Sequence, residues 1–145
     1  MIALIQRVRS ASVEVDQQIV GRIDAGLLAL IGIQKDDDYE HAERLLDKML
    51  AYRVFADDAQ RMNRSLRDTG GGLLLVSQFT LAADTKKGTR PSFSSAAAPD
   101  RALALFEHLV GRARTQHPVV ETGRFGADMQ VALVNDGPVT FWLET

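Results

Sequence analysis

Two short stretches hold the side chains and backbone best suited to chemistry. The first is VSQFTL, in which Ser77, Gln78, Phe79 and Thr80 follow four large apolar residues, Leu73 to Val76. Such a run predicts a buried strand that surfaces at its end. Hydroxyls, an amide and free backbone N–H groups would then face outward together. Thr80 could serve as a nucleophile, but no histidine or carboxylate lies within three residues of it. A hydroxyl without a base is weakly nucleophilic. Backbone N–H groups, by contrast, can stabilise a developing oxyanion with no charged side chain at all. The second stretch is NDGPVTF. Asn135, Asp136, Gly137 and Pro138 are turn formers set between VALV and VTFWL, which predicts a hairpin. Pro138 is odd there, because proline cannot donate a ladder hydrogen bond.

Other constellations are missing, and this narrows the chemistry. His41, His108 and His117 are scattered and form no HxxxH or HxH pair, so no metal is expected. There is no Gly-x-Ser-x-Gly elbow. TGGG lacks the Gly-Lys-Ser/Thr of a phosphate loop and reads as a turn. Asp36, Asp37 and Asp38 sit where a helix N-terminus favours negative charge, and capping explains them better than metal binding. No cofactor is expected.

The elements that must position these groups follow from pattern and composition. The 145 residues are 46% hydrophobic and 25% charged, ordinary for one globular domain spanning residues 1–145. Net charge is -2, so a polyanion would have to meet a local basic patch. The chain has no cysteine, which fits a reducing cytoplasm. Its opening residues carry charges too early for a signal peptide, and no apolar run reaches bilayer length. Strands are predicted for IALIQRVRSASVEV and QQIVGRID with a turn at Asp16-Gln17, for GLLALIGIQ, for AYRVF, for GLLLVSQFTL, for PVVETG, and for the two runs around Asn135–Pro138. Ala42, Leu45, Leu46, Met49 and Leu50 mark one helix, and Ala102, Leu103, Leu105, Phe106, Leu109 and Val110 another, opened by Pro99. ADDAQRMNRSLRDTGG reads as a polar loop. AADTKKGTRPSFSSAAAP is a long irregular connection of the sort that often carries function. The fold class is therefore α/β: a compact layered β/β/α domain with mixed sheets and two main helices.

Taken together, SQFTL and NDGPVTF resemble the paired signature motifs of the D-aminoacyl-tRNA deacylases. QRVRSASVEV, GLLALIGI, MNRSL, KGTRPSF and TGRFGADMQVALVNDGPVT are similar to that family in the same order and spacing. The resemblance covers essentially the whole chain. Small departures are AYRVF, less typical than a Leu-Arg-Ile-Phe run, and Phe106, where tyrosine is common.

The resemblance implies a homodimer that hydrolyses the ester of D-aminoacyl-tRNA. It implies a cis bond between Gly137 and Pro138, whose carbonyls reach into the partner subunit's site and exclude an L side chain. It implies a pocket around Ser77, Gln78, Phe79 and Thr80, with Met129 close by, and water activated by the substrate's ribose 2′-OH. Asn135 is expected to fix the turn beside the substrate. Lys86, Lys87 and Arg90 are candidates for phosphates of the tRNA, and Arg7 and Arg9 weaker ones that read equally as surface charges on the first strand. Neither membrane nor DNA is an expected partner. Two other readings remain: a hydrolase of another small acyl ester, and a non-catalytic RNA-binding dimer.

Overall fold

A computed structural model describes all 145 residues. The chain opens with a long strand β1 (Ile2–Val15), which turns at Asp16-Gln17 into β2 (Gln18–Ile23). Both turn residues have positive φ, 49° and 64°, the geometry that matches the twist of a two-residue hairpin. β3 (Gly26–Gly32) continues from β2, and both pair antiparallel with the same edge of β1. Helix α1 (Tyr39–Ala51) follows, then a small hairpin of β4 (Phe55–Ala56) and β5 (Met62–Arg64). A four-residue helix α2 (Leu66–Thr69) leads into β6 (Gly72–Ser77). Helix α3 (Pro99–Gln116), β7 (Val120–Thr122) and β8 (Gln130–Glu144) complete the chain.

β3, β6 and β7 run parallel, while β1 joins them to β2 and β8 in antiparallel fashion. The sheet curls until β2 lies against β7. A Cβ on Gly21 would collide with the Thr122 carbonyl, so this closure needs glycine. Curling accounts for the uninterrupted apolar runs of β3 and β6, which are buried on both faces. Leu27, Ala29, Ile31, Leu73 and Leu75 face α1 and α3 in the larger core. Leu28, Leu74 and Val76 point the other way, into a smaller cluster with Val8, Val13 and Ile23 inside the curl. The mixed α/β class is as read from sequence, but the two expected sheet layers are one sheet bent over itself.

Three local expectations need correction. Within AYRVF, Ala51 ends α1, Tyr52 is its extended C-cap, and only Phe55 enters a strand, the two-residue β4. The polar loop expected before β6 contains β5 and α2. Ser65 caps α2 by accepting from the Asp68 amide, and the Asp68 carboxylate accepts from the Ser65 amide, a reciprocal box. The hairpin around Asn135–Pro138 does not exist. VALV and VTFWL belong to one strand, β8, that pairs with β1 on both sides of an irregularity at Asp136–Pro138.

The aspartate triplet divides its work. Asp38 caps α1, and its carboxyl is held below the ordinary value chiefly by the His41 amide that it accepts. Asp37 is buried, 2.6 Å from the Met1 ammonium, and also accepts from the Gln34 amide. The same ammonium donates to Gln34 Oε1 and to the Thr145 carbonyl, tying β1 to the end of β8. Asp37→Ala would strand that ammonium, and loss of one partner from a buried pair costs about 3–5 kcal/mol. We expect a fall of that size in urea-unfolding free energy with the secondary structure retained.

Candidate active site

β6 ends at Ser77, and the chain bends at once into a 3₁₀ turn, Phe79–Ala82. The Gln78 amide donates to the Ile31 carbonyl, which fixes the turn over the end of β3. Gly32 allows this approach, since a Cβ there would lie 2.8 Å from Leu81 Cβ. The Leu81 amide donates to the Gln78 carbonyl and the Ala83 amide to the Thr80 carbonyl. The amides of Phe79 and Thr80 come before them, at the end of a 3₁₀ turn where N–H groups lack internal partners. Phe79 is 59% exposed and Thr80 is exposed, so the residues that carry these amides lie at the surface. Gln78 Nε2 donates to Thr80 Oγ1, which fixes the hydroxyl's orientation. No acidic or imidazole side chain bonds that hydroxyl, so it has an amide neighbour and no base.

The connection after the turn folds back beside it. Phe93 meets Phe79 with ring centroids 5.2 Å apart, and Asp84 pairs with Ser92 at the neck of the loop. Lys86, Lys87 and Arg90 are exposed at its tip and make no ion pair. Met129 sits nearby. A Cβ on Gly123 would come 2.7 Å from Met129 Sδ and 3.5 Å from Val76 Cγ1, which puts Met129 beside the end of β6. The structure thus gathers Ser77, Gln78, Phe79, Thr80, Met129 and the basic loop at one end of the parallel strands.

Gly137, Pro138 and Asn135 are at the other end. Gln6 of β1 faces Thr140, but Val8 faces Asn135, so two steps along β1 are matched by five along β8. The surplus is a bulge, Asp136-Gly137-Pro138, and the Gly137–Pro138 peptide is cis. Val8 is level with Gly26, and Gly26 with Gly72 at the start of β6, whereas Ser77 is at its finish. At ~3.3 Å per strand residue the two motifs are roughly 17 Å apart along the strand direction alone. One protomer does not bring them together.

Arg7 holds the bulge. Its Nε donates to the Asp136 carbonyl at 2.9 Å and lies 3.2 Å from the Asp136 carboxylate, and its Nη1 donates to the Val54 carbonyl at 2.6 Å. Asn135 Nδ2 bridges the carbonyls of Arg7 and Val139 across the base of the bulge. A Cβ on Gly137 would clash with Asn135 Oδ1 and lie 2.8 Å from the Val139 nitrogen. Sequence reading set Arg7 among the phosphate contacts, but its half-buried guanidinium is already engaged within the protein. Arg9 is exposed, with a looser approach to Asp136. The tether escaped sequence reading because its partners are 47 and 129 residues away from Arg7. Phe93 was missed for want of any local pattern.

A family model described as D-Tyr-tRNA(Tyr) deacylase matches residues 4–144. The chain belongs to the D-Tyr-tRNA(Tyr) deacylase family. Membership carries the reaction class: the chain is a hydrolase. It is 67% identical over 144 residues to a protein of Alkalilimnicola ehrlichii named D-aminoacyl-tRNA deacylase, covering 99% of this chain and 96% of that one. A second relative of the same name, from Stutzerimonas stutzeri, is 65% identical over the full length of both. The solved structure of a protein named c-Myc DNA Unwinding Element Binding Protein superposes with a TM-score of 0.96 at 36% identity, covering 100% of this chain and 99% of that one. Another, described as a probable eukaryotic D-amino acid tRNA deacylase, shares the fold with a TM-score of 0.85 at 18% identity, covering 99% and 98%.

The geometry separates the two employments of Arg7. Arg7→Ala frees a bonded carbonyl at each end of its span and should lower the unfolding free energy by about 2–3 kcal/mol. A surface arginine reserved for phosphate would change it by less than about 0.5 kcal/mol.

Proposed function

We propose that this chain hydrolyses the ester bond of D-aminoacyl-tRNA as a homodimer, each site assembled from both subunits. The observation that carries the reading is the placing of the two motifs at opposite ends of one sheet. Each end is prepared for a task that it cannot complete alone. The Phe79–Thr80 turn offers backbone donors but has little to enclose a substrate. The bulge offers rigid carbonyls, held by Arg7 and Asn135, but has no donors for an oxyanion. A two-fold partner that sets one protomer's bulge over the other's turn would complete two sites at once. β8 supplies an edge for such pairing. It bonds only to β1, and its exposed side chains include Leu133, Val134 and Trp142.

In the assembled site, water attacks the ester carbonyl and the bond to the ribose oxygen of the terminal adenosine breaks. The amides of Phe79 and Thr80 donate hydrogen bonds to the carbonyl oxygen as negative charge develops on it. The ribose 2′-OH takes the place of a protein base, consistent with the missing base at Thr80. Gln78 orients the Thr80 hydroxyl, and Ser77, Phe79 and Met129 shape the wall. The carbonyls of Gly137 and Pro138 occupy the volume that an L side chain requires. They accept hydrogens from the ammonium when the chirality is D. Attraction to the adenosine is equal for the two enantiomers, so discrimination comes from the clash. Glycine, with hydrogen in both positions, passes the same test. Lys86, Lys87 and Arg90 meet phosphates of the tRNA. We place the activity in the cytoplasm, where charged tRNA is used; no helix is long and apolar enough to cross a membrane.

The experiment compares D-Tyr-tRNA, L-Tyr-tRNA, Gly-tRNA and a free D-tyrosine ester, with the oligomer measured by sedimentation. We expect turnover of D-Tyr-tRNA and Gly-tRNA, none of L-Tyr-tRNA, and a particle of two 15.9 kDa chains. Equal activity on the free ester would favour a general ester hydrolase; binding without turnover would favour an RNA-binding dimer. Thr80→Ala should retain activity within about tenfold, while a tRNA ending in 2′-deoxyadenosine should react about 10²–10⁴ times more slowly. Complete loss in Thr80→Ala, with folding intact, would reassign the attack to that hydroxyl. One structural neighbour has DNA binding in its name, and a gel shift with duplex DNA tests that reading here.

A further inference from the structure

Beside the candidate site lies a cleft of about 360 Å³ between α3 and the segment after β7. It is within the ~300–1,000 Å³ of small-molecule sites. Its apolar wall includes Leu103, Phe106 and Phe125, and the two rings have centroids 6.1 Å apart. Arg114 and Arg124 stand at its rim, both exposed and neither in an ion pair. Glu107 is the one carboxylate among the lining residues, so the cleft is net positive on a chain of net charge -2.

Gly111 also lines the cleft, in the interior of α3. A glycine there weakens a helix relative to alanine. Packing does not require it, because a Cβ at Gly111 would meet nothing within 4 Å. Its effect is to leave the cleft open. Gly123 forms part of the same lining and abuts Met129 and Val76, so the cleft backs onto the end of β6 where the ester would lie.

We propose that this cleft binds an unpaired nucleotide of the tRNA 3′ end, one that precedes the adenosine carrying the ester. The inference rests on the deacylase reading and extends it. The base lies on the Phe125–Leu103 wall, and its flanking phosphates meet Arg114 and Arg124. Unstacked bases are commonly received in this way, on an aromatic face with arginine beside it.

The test compares kcat/KM on D-Tyr-tRNA with kcat/KM on the D-tyrosyl ester of adenosine alone, which has no preceding nucleotide. Gly111→Trp fills the cleft and should lower the ratio of the two about tenfold. The double change Arg114→Ala, Arg124→Ala should lower it too, and should flatten the salt dependence on tRNA by roughly 0.7 in log–log slope for each phosphate no longer neutralised. The double change alters only exposed side chains, so it keeps the question answerable even where tryptophan disturbs α3. An unchanged ratio in both variants overturns the cleft's role and leaves the deacylase reading standing. A wild-type protein inert toward both substrates overturns the two together.

Discussion

The pairing of β8 along the whole of β1 is the constraint from which most of this structure follows. β1 has two edges. One is taken in turn by β2 and β3, and the other is given over to β8. Both strands are long, and they would run out of step if every residue paired. Most of the mismatch is collected at Asp136–Pro138, where β8 lifts away from the ladder, and a smaller irregularity on the β1 side follows between Val8 and Ser10. Irregular backbone of this kind persists only if its polar groups find other partners. Arg7 and Asn135 provide them, and both are fixed by the same pairing. A main-chain feature is thereby made as rigid as the sheet that carries it.

Rigidity at the bulge and openness at the Phe79–Thr80 turn are complementary. Sorting mirror-image substrates needs a wall that does not yield, and backbone carbonyls have no rotamers through which to yield. Attack on an ester needs donors in place before charge appears, and a 3₁₀ turn presents them without reorganisation. A single strand length keeps the two apart within a chain. The two-subunit site that we propose is the economical way to unite them. No acid–base side chain has to be placed, which agrees with the scattered histidines. His117 bonds the Gly71 carbonyl and His108 lies against Glu43, both remote from Thr80 in the hydrogen-bond network.

Much of this was legible in the sequence, and the failures share a cause. Helices α1 and α3 announce themselves by spacing, and the Asp16-Gln17 turn by its residue types. The buried runs of β3 and β6 are visible as runs, though not that their alternate faces serve two clusters. Where reading failed, the deciding partner was distant in sequence. VALV and VTFWL look like two arms of a hairpin because Asn, Asp, Gly and Pro favour turns; pairing with β1 overrules that local preference. Arg7 looks like a free cation because Asp136 and Val54 cannot be placed beside it without the fold. Asp37 looks like its neighbours until the first residue of the chain arrives against it. Of the site, the two motifs were readable, but their separation was not.

The outer edge of β8 has a second side to its usefulness. A fifteen-residue strand whose outer edge is unpaired, bearing Leu133, Val134 and Trp142, would be a template for runaway addition of further chains. The bulge interrupts that template near its middle. Pro138 has no N–H to offer a newcomer, and the displaced backbone spoils the register on either side. Each remaining stretch is short. The irregularity to which we assign recognition would thus also act as a safeguard against aggregation of the free chain.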